Sequence, residues 1–444
     1  MTATLEPVTR TQTTRRTRST PRHYRRVSLA LCALLLLLLA VAEVSAGNGA
    51  DSTKELSLNT GPVLVSMQGV VASLAQADAA ATAAILSGTT EDREQRTQYL
   101  DALARSETEL EKVSALIGDD QEAHDLLQDI QTKVSRYAGL VEAARVQTLN
   151  SFPGAQATLV QAAGLRTEIS HDATRLTAVS EQRFTNEADR RSTGFAFTVL
   201  LFLIVVIALV YAQTDVARRS RRVLNLPLFL ATVLVIGAFG WAVVIDQRAR
   251  ADLDAARHDA YESIAAAAAI QAQGFTAKSA ETLALITGDA TARQAADAAM
   301  AKLSSRLDDA TADEGLAKQA RDGAHLPDQG LVFDAVNKAD SPRERAVAAE
   351  MLQRWGRYRA SVVALRKADK DGAKAIARGS LSSEFDGFNV AVESVLGDNE
   401  AQYRAALAHA SDRYFLANIA MLIGVLGAMA LTVTGYRLRI REYQ

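Results

Sequence analysis

Cysteine is almost missing from this 444-residue chain. The single Cys32 excludes an internal disulfide framework and a cysteine zinc cluster. The six histidines (23, 124, 171, 258, 325, 409) have no metal-ligand spacing. Proline (7) and glycine (25) are too few for a loop-rich or all-β protein. Aromatics reach only 5% although hydrophobic residues reach 48%. Alanine and leucine make up the difference, which suits helices better than sheets. Lys+Arg (49) balance Asp+Glu (51), so no global attraction to nucleic acid is expected. There is no phosphate-binding glycine loop, zinc helix motif or nucleophile motif. The expectation is an all-α protein that is not an enzyme, holds no cofactor or metal, and has no nucleic-acid partner.

What is present is segregated. Four blocks, 27–46, 194–213, 226–245 and 414–435, read as membrane spans, each about 20 residues or roughly 30 Å of helix. Only Glu43, near the end of the first, is charged. That first block reads as an uncleaved anchor, with a cleavable signal peptide as the alternative. Arginines gather beside the blocks: Arg25 and Arg26 in the tail 1–26, Arg218, Arg219, Arg221 and Arg222 in the loop 214–225, and Arg437 and Arg439 in the tail 436–444. The segments 47–193 and 246–413 are acidic, at −8 and −4. This asymmetry predicts cytoplasmic termini, a cytoplasmic basic loop, and two extracytoplasmic domains in a plasma membrane. The Thr-rich tail reads as a disordered topology signal near anionic lipid, or alternatively as a phosphorylation or docking segment.

Each acidic segment counts to four helices. In 47–193 the seams run Val63, Met67, Val70, Leu74; then Tyr99, Leu110, Val113; then Leu127, Ile130, Val134, Tyr137, Val141; then Leu159, Ala162, Ile169, Leu176. Steps of three and four put each set on one face, as an antiparallel four-helix bundle needs. Breaks are expected at Asn48-Gly49 and at Asn59 to Pro62, so the first helix is expected to be uncoupled from its span. In 246–413 a helix continuous with the third span is expected. The other seams there are Ala296, Met300, Leu303; Met351, Trp355, Tyr358, Val362; and Leu381, Phe385, Phe388, Val392. Ser341-Pro342-Arg343-Glu344 reads as a capping box with proline at the first helical position.

The halves also match directly. Thr82 to Gly88 parallels Thr282 to Gly288 at an offset of 200, and Arg136-Tyr137 parallels Arg357-Tyr358 at 221. An internal duplication is expected, with an insertion at about Gly315 to Asp340 in the second copy.

Each half resembles the extracytoplasmic four-helix-bundle sensors of bacterial chemoreceptors and histidine kinases. Over 27–435, two such bundles in a four-span chain resemble the GlnX-type actinobacterial sensory membrane proteins. The resemblance implies amino-acid or nutrient sensing through an extracytoplasmic solute-binding lipoprotein, with output to a cytosolic Ser/Thr kinase. It carries over no site residue. Chemoreceptor bundles grip a ligand carboxylate with arginines on their first and last helices. No Lys or Arg lies between Lys54 and Arg93, so the first bundle lacks that clamp on its first helix.

The cytoplasmic segments, at 26, 12 and 9 residues, are too short for a kinase or nucleotide-binding domain, so output is expected to pass through a separate protein. A scaffold of the cell envelope is the alternative function. Trp355, Arg357 and Arg359 are the candidate anion pocket, weighed against a reading in which Trp355 fills the core and the arginines face water. Thr89 and Gly154 mark a candidate partner surface at the far tip of the first bundle, with Gly288-Asp289 and Lys370 to Gly372 as its counterpart. Asp172, beside His171, reads as an ordinary surface residue. The stripe Ala420, Gly424, Ala428, Thr432 is expected at a helix contact, within the chain or in a homodimer. The lipid bilayer is the remaining expected partner.

Overall fold

A computed structural model describes residues 20–55, 61–88, 92–118, 120–152, 154–220, 225–254, 261–288, 290–305, 312–327 and 329–441. Among the described residues there are thirteen helices and no strand. They are α1 (Thr20–Glu55), α2 (Gly61–Leu86), α3 (Arg93–Leu116), α4 (Gln121–Leu149), α5 (Ala155–Ser220), α6 (Leu226–Asp254), α7 (Glu262–Thr287), α8 (Ala290–Leu303), α9 (Ala312–Arg321), α10 (Leu331–Asn337), α11 (Pro342–Lys367), α12 (Lys370–Arg378) and α13 (Ser380–Arg441). The chain divides into two compact units.

One unit joins Met1–Ala50, Arg190–Arg248 and Asp412–Gln444. Its core holds Leu35 and Leu38 of α1, Val205 and Leu209 of α5, Val235 of α6, and Val425 and Ala428 of α13. Leucine, isoleucine, phenylalanine and tryptophan also stand on its outside, at Leu29, Phe197, Ile207, Trp241 and Ile423. Apolar residues inside and outside together suit a lipid surround, because water would penalise that exterior. The small-residue stripe meets α6 of the same chain. A Cβ on Gly424 would fall 2.3 Å from that of Ala238, and one on Gly427 would fall 2.8 Å from Leu234. Phe202 stacks on Phe239 at 3.9 Å. At one end His23 lies 3.3 Å from Asp215, Tyr24 lies 5.9 Å from Tyr436, and Asn225 reaches the Gly435 carbonyl. The exposed Arg25, Arg26, Arg218 and Arg437 therefore share that end. Arg221 and Arg222, and the side chains of Arg219 and Arg439, lie outside the described residues.

Among the described residues, five helical segments are long and apolar enough to cross a membrane, and one of them is α2. Burial separates it from the rest: 72% of its apolar window is buried, against 22–33% in the other four. It is a core helix of the second unit.

That second unit joins Asp51–Asp189 and Ala249–Ser411. Its first core brings α2, α3, α4 and the start of α5 together through Met67, Val70, Tyr99, Ile130, Tyr137 and Ile169. The 3–4 spacing placed these residues correctly, and both Tyr137 and Tyr358 are fully buried. The second core gathers Met300, Trp355, Tyr358, Phe385 and Phe388, an aromatic set without parallel in the first. Local chemistry ends and starts the helices. Gly88, Gly118 and Gly288 have φ of 72°, 60° and 66°. Asp120 accepts from the Ala123 N–H, and Ser341 and Glu344 complete the capping box.

Several expectations need correction. Asn48-Gly49 does not break α1, which runs on to Glu55; of the second expected break, Gly61 and Pro62 open α2 while Asn59 and Thr60 lie outside the described residues, as does the join between α6 and α7. Lys370 to Gly372 is the first turn of α12, capped by Asp369, because that side chain accepts from the Gly372 N–H. The insertion is built into the core: Leu326, Val332 and Phe333 are fully buried in it. Asn337 clamps it by accepting from the Leu326 N–H at 2.8 Å and donating to the Leu326 carbonyl at 3.0 Å. Gly330, at φ 119°, sits so close to Leu303 that a Cβ would fall 2.6 Å from its carbonyl oxygen.

Candidate functional site

The two cores are not independent. Ala75, Ala79 and Leu86 of α2 belong to the second core, so α2 and α7 pack along one another. Within this seam the lone charge of α2, Asp78, is buried. Ser279 of α7 donates to its carboxylate at 2.8 Å. Thr82 donates to the Asp78 carbonyl at 2.7 Å and lies 3.1 Å from the Ser279 hydroxyl. Arg166 of α5 lies 3.6 Å from the same carboxylate, and its Nη1 donates to Thr276 of α7 at 3.3 Å. A charged group survives burial only with such partners. Asp78 thus ties three helices from both halves together. Burial, and then the neighbouring Asp78, push the Tyr137 phenol well above its ordinary range.

Beside this network opens a cleft of about 380 Å³ lined by α2, α5, α7, α8 and Leu331 of α10. Among the described residues Arg166 and Lys302 are its charged lining residues, and the polar remainder is hydroxyl and amide.

Deeper in the second half, Glu281 of α7 is fully buried. Arg366 bonds it through Nε and Nη2, and Arg293 donates to its other oxygen at 3.1 Å. Burial lowers the Arg366 pKa, but its bonds to Glu281 outweigh that and raise it. Lys278 is buried one turn earlier, 3.2 Å from Ser382 and 3.8 Å from Asp386, with its ammonium 4.7 Å from the Phe385 ring centre. Burial depresses its pKa, and Asp386 offsets this only in part. Asp172 is an ordinary structural residue, although not an exposed one. Lys133 donates to it at 2.5 Å, and hydrogen bonds to Asp129 and Asp172 push Lys133 up to about 12.

The sequence candidates fare unevenly. Trp355 is fully buried, 5.7 Å from Tyr358 and 5.3 Å from Phe388, and fills the core. Arg357 is exposed, but Arg359, expected in water, is only 1% exposed. These three residues do not form one pocket: Arg357 points to solvent while the other two are inside. Gly154 is exposed at φ 104°, and Thr89 lies outside the described residues. The expected open tips are partly covered by each other. Arg378 of α12 donates to the Leu86 carbonyl at the end of α2, and Gln156 to the Ile286 carbonyl near the end of α7.

Sequence reasoning missed Asp78, Arg166, Ser279 and Lys302. One signal was present, since a single carboxylate in an otherwise uncharged, apolar 26-residue helix must find a partner. No curated protein and no solved structure matches the chain. Residues 52–189, which span α2 to α4 and the first half of α5, match the family model of an actinobacterial sensor domain, and this supports an actinobacterial sensor protein.

Proposed function

We propose that the chain is a plasma-membrane signal-relay sensor with four spans, cytoplasmic termini, and two tandem extracytoplasmic four-helix bundles arisen by duplication. Its input is a nutrient signal, such as an amino acid delivered by a solute-binding lipoprotein. Its output goes to a separate cytosolic effector such as a Ser/Thr kinase, and the chain itself catalyses nothing. One observation carries this reading. The last helix of the matched sensor domain, α5, runs as a single helix from Ala155 to Ser220 and includes the apolar segment Phe197–Arg218. A small slide or rotation of such a helix is an established way to pass a signal without moving a ligand. The four arginines at one end of the first unit support a common cytoplasmic side.

The test has two arms. Cysteines placed singly at Ser114 and Ser394, both exposed, should label from outside intact cells, and one at Ser220 should not. Phosphorylation of the kinase's substrate should respond to the nutrient with the full chain and not without it. External labelling at Ser220 refutes the orientation. A response that survives deletion of the chain refutes the relay and leaves a scaffold.

A further inference from the structure

We infer that the cleft between the two helical halves binds a small organic carboxylate that carries no ammonium group. Its volume, about 380 Å³, lies in the range of small-molecule sites. The two cations of its lining have unused donors. The side chain of Arg166 is 13% exposed, and its buried Nε has no hydrogen-bond acceptor. Its nearest carboxylate, Asp78, already accepts from Ser279 at 2.8 Å. Lys302 opens on the same cleft, and no hydrogen bond or ion pair involves it among the described residues. A charged donor without an acceptor gains from an anionic one, more at the buried Nε of Arg166 than at the exposed Lys302.

The same lining discriminates. Gln68, Gln273, Ser170 and Thr174 can pair with hydroxyls or a second carboxylate. Among the described residues no Asp or Glu lines the cleft, so an ammonium finds no counter-charge in that lining. A free amino acid is therefore disfavoured, and a di- or hydroxycarboxylate fits. The site also sits where occupancy is felt. An anion on Arg166 competes with Asp78 for the guanidinium and so weakens one tie between α2 and α7. This inference deepens the sensor reading by adding a direct input, but the binding itself does not depend on that reading.

The test is calorimetric titration of the full chain in lipid nanodiscs with succinate, L-malate, L-glutamine and inorganic phosphate. Succinate or malate should bind saturably and glutamine should not. Lys302→Gln, at an exposed position, should weaken the binding by about fivefold. Arg166→Gln should weaken it by about tenfold or more. Because Arg166→Gln also disturbs the seam, Ser170→Phe provides a second variant: it fills the cleft and should abolish binding with the thermal melt unchanged. Failure of both carboxylates to bind, binding of phosphate alone, equal binding of glutamine, or full binding by Lys302→Gln and Ser170→Phe overturns the site. Carboxylate binding with an unresponsive kinase counts against the relay and supports the site, whereas an intact relay without carboxylate binding overturns the site alone.

Discussion

Replacing Asp78 by alanine should unlatch α2 from α7 while leaving each half folded. The carboxylate accepts a hydrogen bond from Ser279 at 2.8 Å and lies 3.6 Å from Arg166. A hydrogen bond to a charged group contributes about 1.5–3 kcal/mol. Removing one member of a buried ion pair costs about 3–5 kcal/mol, because the remaining charge is stranded. Arg166 opens on the cleft, so water can reach it, and the lower value of about 3 kcal/mol is the better expectation. At about 1.4 kcal/mol per decade, opening of the seam should become about 100-fold more frequent. Hydrogen exchange on the full chain in nanodiscs reads this directly: amides of α2 and α7 should lose protection, and those of α4 should keep it. The double variant Asp78→Leu/Arg166→Met removes both charges and should recover most of the loss. Protection of α2 and α7 close to the parent in Asp78→Ala, or a double variant as open as the single one, would refute the account of the seam.

The Tyr358 hydroxyl is buried with no hydrogen-bond partner among the described residues, so Tyr358→Phe should raise stability by about 1 kcal/mol. Tyr358→Asp should cost several kcal/mol, about the penalty of an inserted buried charge; thermal melts of the full chain compare the two. Lys278 has its folded pKa depressed by burial, so the unfolded chain binds its proton more tightly and stability rises with pH between the folded value and 10.5. Lys278→Met should remove that slope and stabilise the chain by about 1 kcal/mol at neutral pH, since Asp386 stays in water. Burial pushes Glu142 up, but hydrogen bonds from Arg96 and Arg145 outweigh it and hold the carboxyl below 4.5. Its contribution is thus present above pH 4.5 and is lost as pH falls through the folded value, and melting temperatures of Glu142→Gln should fall less steeply with acid than those of the parent.

Local and periodic features were legible because they depend on neighbours three or four residues away. The seams of α4, from Leu127 to Val141, and of α11, from Met351 to Val362, are buried as their spacing requires. Glycine at the ends of α2 and α7 and the Ser341 capping box follow from backbone chemistry within one turn. The apolar blocks are equally local, since about 20 residues must satisfy their own backbone groups in lipid. The same local rule misleads at α2, whose apolarity would serve a bilayer as well as a protein core; only its burial among other helices distinguishes them. The insertion was located by the change in repeat offset, but its place in the core was not legible. Leu326, Val332 and Phe333 have no period of their own, and their burial depends on α7, α8 and α11 arriving from elsewhere. The three-residue spacing of Trp355 and Tyr358 favoured a reading with Arg359 in water, yet the packing around α11 encloses it. The seam between halves is the extreme case. Asp78 and Ser279 lie 201 residues apart, and nothing within a turn of either names the other. Sequence alone determined which residues form helices, which faces they bury and where apolar segments lie, because those are short-range consequences of spacing and hydropathy. Tertiary structure alone decided which buried faces meet, and so it decided where Asp78, Arg166 and the cleft beside them stand.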